Sequence, residues 1–179
     1  MFNYLRQFSR RIHLWLALVS LIPAVIVISS GILLQVKKQS DWIQPPTQKG
    51  QATSPSIDFE HILSIARSIP ELGVADWQQI DRLDVRPSKG IIKIRARNSW
   101  EAQIDAESGK VLLLAYRRSN TIESIHDGSW FADSAKLWIF LPAAIALLIM
   151  WCSGAILLYT TLKSKYKKRR ARQHYHKPD

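Results

Sequence analysis

A single cysteine, Cys152, in 179 residues excludes an intramolecular disulfide and any paired-cysteine metal site, so every folded part must hold together by packing alone. Nucleophile elbows, phosphate-cradling glycine loops and H-E-x-x-H helices are also missing. Their absence removes the usual hydrolase, nucleotide-binding and zinc-protease chemistries. Acidic residues are scarce, but only at the ends. The formal charge is +11, yet Lys37 to Asp133 holds 13 basic and 13 acidic side chains, so the excess lies outside that neutral middle. Nucleic acid, the ordinary partner of so basic a chain, is therefore not expected.

The most informative absence is of charge itself. Residues 12–36 and 137–162 carry no Lys, Arg, Asp or Glu. At 1.5 Å per residue each stretch is long enough, as a helix, to cross a hydrocarbon core of about 30 Å. Two transmembrane helices are predicted. Basic residues crowd the outer ends of both, Arg6, Arg10 and Arg11 before the first and eight Lys or Arg after the second. By the positive-inside rule both termini are cytoplasmic and the middle is extracytoplasmic. The first apolar run exceeds a signal peptide's core and has no small-residue cleavage site after it, which predicts an uncleaved anchor. The tail, rich in Lys and Arg from Lys163 to Lys177, is expected to stop transfer and to bind anionic lipid.

Helical spacing puts His13, Ala17, Ser20, Ala24, Val27, Gly31 and Gln35 on one stripe of the first span. Ala143, Ala146, Met150, Ser153 and Leu157 form the matching stripe of the second, with Gly154 beside Ser153. Small and polar residues on one face permit close helix approach and supply hydrogen bonds that lipid cannot, so the spans are expected to pack on each other, on a second copy or on another membrane protein. The spans also echo one another: Leu14-Trp15 precedes Ser30-Gly31 as Leu137-Trp138 precedes Ser153-Gly154, hinting at an inverted repeat.

Between the spans the chain divides by pattern. After a basic head (1–11) and the first span (12–36) comes a segment (37–56) with three prolines and no periodicity, expected as a linker. Residues 57–118 read as a small α+β domain, 119–136 as a connector, 137–162 as the second span and 163–179 as the basic tail. Phe59, Ile62, Leu63, Ala66 and Ile69 make a helical stripe capped by Ser56 or Asp58, with His61 on the wet side. Alternation then predicts strands. A three-residue loop at 97–99 pairs Ala96 with Trp100, Ile94 with Ala102 and Ile92 with Ile104, and on the face expected to be wet, Arg95 with Glu101. A turn at 105–110 leads to a last strand, 111–116. The fold expected is membrane α-helical with a helix packed on an antiparallel sheet outside.

The phrase Ile104-Asp105-Ala106-Glu107-Ser108-Gly109-Lys110-Val111 resembles the hairpin turn of PepSY domains. With Arg11-Ile12-His13 opening a span that ends in Ser30-Gly31, and Ile125-His126-Asp127-Gly128 ahead of a span ending in Ser153-Gly154, the chain resembles the PepSY-associated transmembrane family of bacteria. That resemblance implies a cytoplasmic (inner) membrane protein with a periplasmic domain, linked to iron uptake. Larger relatives with four or more spans include haem-containing ferric-siderophore reductases, and this chain resembles half of one, with Asp127 where the "H-T-G" form has another residue.

On the resemblance, His13 and His126 are the candidate ligands of b-type haem. They belong to opposite membrane faces and cannot share one haem within a chain, so a homodimer would supply two copies of each, one haem near each face. The bland alternative makes His13 an interfacial residue and His126 a cap on the approach to the second helix. His174 and His176 in the tail form an incomplete metal site. Two functions stay open: a haem-bearing electron-transfer component of ferric iron reduction, or a non-catalytic interaction protein whose outer domain binds a protein partner.

Overall fold

A computed structural model describes the backbone over residues 2–175 and the side chains over 14–166, save 156, 157 and 160. Among the described residues the α-helices and the sheet strands are, in chain order, α1 (Phe2–Gln35), α2 (Phe59–Ser68), strands β1 (Ile80–Arg86), β2 (Ile91–Ala96), β3 (Trp100–Asp105) and β4 (Val111–Tyr116), then α3 (Arg118–Asp127) and α4 (Leu141–Tyr175). They fall into two compact units, one holding the long helices through Ile28 and from Asp127 onward, the other Ser29–His126.

In the helical unit, the apolar windows long enough to span a membrane are Leu14–Gln35 and Lys136–Ala155. Most of their large side chains are exposed, including Leu18, Val19, Ile22 and Val25 on α1 and Leu148, Ile149 and Trp151 on α4. An apolar surface of this extent is stable against lipid rather than water. Ser20 and Pro23 on α1 and Phe140 and Ala143 at the start of the second span are buried; Ala17, Ala24, Ala146 and Ser153 are half-buried, and Gly154 is exposed. Ser20 satisfies its hydroxyl on the Leu16 carbonyl at 2.6 Å. A π-helical turn at Lys136–Phe140 leads into α4. Asp127 anchors the approach to it: one carboxylate oxygen accepts from Lys136 Nζ at 2.7 Å, the other from Ser129. The Lys136 and Ser129 hydrogen bonds lower the Asp127 carboxyl to about 2.

In the second unit the sheet is an antiparallel meander in the order β1-β2-β3-β4. The β2–β3 register pairs Ile92 with Ile104, Ile94 with Ala102 and Arg95 with Glu101. One face meets α2, whose Ile62, Leu63 and Ala66 pack with Ile92, Ile94, Ala102 and Ile104 in the core. The N-cap is Asp58, which accepts from the His61 amide at 2.7 Å. His61 itself is exposed.

The other face departs from the alternation. Its Lys93, Glu101 and Gln103 are at most 1% exposed. Two segments distant in sequence cover it. The proline-containing stretch expected as a linker has no helix or strand but runs over the sheet as a strap. Gln48 N donates to Gln103 Oε1 at 2.8 Å, Gln103 Nε2 to the Pro46 carbonyl at 2.9 Å, and Lys93 Nζ to Thr47 Oγ1 at 2.9 Å. Farther along, Gly50 N donates to the Lys89 carbonyl, and a Cβ on Gly50 would lie 2.2 Å from the Gly90 oxygen, so the strap crosses where only glycine fits. Arg117 and the first turn of α3 supply the second cover. Arg117 Nη1 donates to Glu101 Oε2 at 2.9 Å, and Ser119 N to the Ile43 carbonyl of the strap at 2.8 Å.

Glu101 thus collects Lys93 at 3.4 Å, Arg95 at 3.1 Å and Arg117 at 2.9 Å with no exposure of its own side chain. Asp105 is the second knot. It accepts from the amides of Glu107 and Ser108 at the hairpin turn and from Gln51 and Ala52 of the strap. Hydrogen bonds from Ser108 and Gln51 hold its carboxyl far below the ordinary range.

Two outcomes follow for stability. Glu101→Ala, which leaves Lys93 and Arg117 on a covered face without a carboxylate and Arg95 with Asp84 alone, is expected to lower the unfolding free energy of the sheet domain by about 3–5 kcal/mol in denaturant titrations. Asp105 has a depressed folded-state pKa, so its contribution is complete above the unfolded value of about 3.9 and disappears as pH falls toward the folded one. Melting curves from pH 7 to pH 3 should therefore fall steeply below about pH 4 in the wild type, and Asp105→Asn should be less stable at pH 7 with a flatter acid limb.

Candidate functional site

The second unit includes the end of the first span, from Ser29 to Gln35, and α3 is built against it. Ser119, Ile122, Glu123 and His126 recur at helical spacing on one face of α3. Ser119 and Ile122 are buried. Glu123 takes a salt bridge from Lys37, just past the end of α1, at 2.8 Å. His126 reaches α1 itself: its Nδ1 lies 2.9 Å from Ser30 Oγ, and its Cε1 lies 3.4 Å from where a Cβ of Gly31 would be. The missing side chain at Gly31 is what lets the imidazole lie against the helix, and Ser30 fixes the ring's rotation. Arg118 completes the attachment, stacked 4.7 Å over the Trp42 ring and donating to the Trp42 carbonyl at 3.1 Å.

This clasp has defined donor chemistry. When Nδ1 carries the proton it donates to Ser30 Oγ, and Nε2 is left with the lone pair that binds a metal. A metal-ligating histidine is commonly oriented this way, through its other ring nitrogen. The residues present would therefore fit a haem by supplying one imidazole ligand. They do not complete a bis-imidazole site, and among the described residues no group of three or more His, Cys, Asp or Glu could hold a bare metal ion. The side chains of His13, His174 and His176 lie outside those described.

Of the small-residue positions picked out from the sequence, Gly31 is half-buried and its open side meets the His126 ring. Ser153 turns inward on its own helix, donating to the Met150 carbonyl at 2.8 Å. Sequence reasoning did not join Ser30 and Gly31 to His126. The available signal was the i, i+3, i+4, i+7 pattern ending at His126 inside the segment read as a connector.

Fold and site define a class: a two-span membrane protein with a small α+β domain between its spans. Residues 10–177 match the family described as PepSY-associated TM region, and the chain belongs to that family. No curated protein and no solved structure matches it.

Proposed function

We propose that the chain is an electron-transfer component of the cytoplasmic membrane that serves ferric iron reduction, holding b-type haem through His126. The observation that carries this reading is the clasp: an imidazole oriented by Ser30 through Nδ1, seated against Gly31 at the end of an apolar span, with Nε2 as its remaining donor. A haem so ligated supplies one-electron exchange between ferric and ferrous iron. Ser30 fixes the ring plane, and Gly31 gives the ring its seat. A second copy of the chain would supply the other imidazole to that haem, and His13, whose side chain lies outside those described, would be the residue to hold a second haem at the other end of the span.

The charge pattern supports the orientation: basic clusters beside both outer span ends put the termini in the cytoplasm and the outer domain on the far side, where the iron would be reduced.

Protein purified in mild detergent from haem-replete cells is expected to show a Soret band and, after dithionite, sharp α and β bands. Both disappear in His126→Ala, and Ser30→Ala keeps the bands with a shifted midpoint potential. A featureless spectrum from folded protein would overturn the redox reading and leave an outer domain that binds a protein partner. Orientation is checked separately. With Cys152→Ser as background, a cysteine at the exposed Glu107 should react with a membrane-impermeant maleimide in spheroplasts, and protection until the cells are lysed would reverse the topology.

A further inference from the structure

The strap and the sheet enclose a cleft of about 360 Å³ in the outer domain, lined by Lys38, Arg86, Lys89, Lys93 and Arg95 together with strap residues 44–47. Its lining has no carboxylate. Arg86 and Arg95 share Asp84, at 2.9 and 3.2 Å, and Glu101 behind the cleft is divided among Lys93, Arg95 and Arg117. Four cations thus share two carboxylates. Lys38 and Lys89 have no acidic partner among the described residues, and both are exposed. Burial lowers the pKa of the Lys93 ammonium, the cost of a cation at the cleft floor without a full counter-charge. A concave surface with this excess concentrates anions at its centre, and guanidinium forks match the geometry of phosphate oxygens.

We propose that this cleft binds a phosphate group, with Lys38, Arg86 and Lys89 as its rim and Lys93 and Arg95 as its floor. The ligand chemistry is that of a phosphate mono- or diester, either a free anion or the headgroup of an anionic phospholipid. Lys38 favours access from the bilayer, because it stands three residues beyond the end of α1. The basic tail is a separate feature, on a different part of the chain.

The test uses the full-length protein in detergent. Its melting temperature is followed by tryptophan fluorescence while inorganic phosphate replaces chloride at constant ionic strength, and native mass spectrometry counts phosphatidylglycerol retained through purification. The variant is Lys38→Gln with Lys89→Gln, which breaks no internal ion pair and so leaves the unliganded melting temperature in place. Lys110→Gln, an exposed lysine outside the cleft lining, is the control. Stabilisation by phosphate that needs about tenfold more anion in the double variant identifies a free phosphate ligand. No response to phosphate, with retained phosphatidylglycerol lost in the double variant and kept in the control, identifies the lipid headgroup. No effect of either ligand, or equal losses in the double variant and the control, overturns the proposal.

Discussion

The buried carboxylate of Glu101 is the interaction on which the sheet domain depends. A charge with no exposed surface is tolerable only when partners replace its water. Here they come from three places in the chain: Lys93 and Arg95 on the neighbouring strand, Gln103 beside it, and Arg117 at the entrance to α3. Because Gln103 and Lys93 also bond the strap at Pro46 and Thr47, Glu101 ties sheet, strap and last helix into one body. Without it, Lys93 and Arg117 would lose the carboxylate that draws the sheet and the start of α3 together.

What Glu101 holds in place, the clasp uses. Arg117 ends where α3 begins, so the register that puts its guanidinium on Glu101 also sets which face of α3 turns toward the end of the first span. Lys37–Glu123 and Ser30–His126 then lie one helical turn apart on that face. The position of a potential metal ligand is determined by a charge cluster far from it in sequence. A histidine on an unsupported connector would have no fixed ring plane; His126 has one because Ser30 and the absent side chain of Gly31 define it.

The rest of the HDG phrase does different work. Asp127 pairs with Lys136 and Ser129 at the entrance to the second span, and Gly128, at φ +85°, presses against the Phe140 ring. Three consecutive residues thus serve two units, His126 at the end of one and Asp127 and Gly128 at the start of the other. The motif marks the point in the chain where one unit ends and the other resumes.

Much of this fold was legible in the sequence because its signals are local. Uncharged runs longer than a bilayer is thick, the stripe of α2 and the even-sum pairing across Arg97-Asn98-Ser99 all depend on neighbours within a few residues, and the spans, the helix and the hairpin register are as those patterns predict. Alternation also says which residues of a strand share a face, but not what covers that face. Lys93, Arg95 and Glu101 read as solvated because charges usually are; the strap and Arg117 that bury them lie 46 and 16 residues away from their partners. The linker was legible only as irregular chain, since proline and lack of period describe a strap and a tether alike. Ser30 and His126 are 96 residues apart, so their meeting had no expression in spacing. The spans, α2, the hairpin and the family resemblance were all written in local pattern, whereas α3 fell in the segment read as a connector; which charges are buried and which histidine is held followed from the folded structure, because burial and orientation are properties of surfaces brought together from distant parts of the chain.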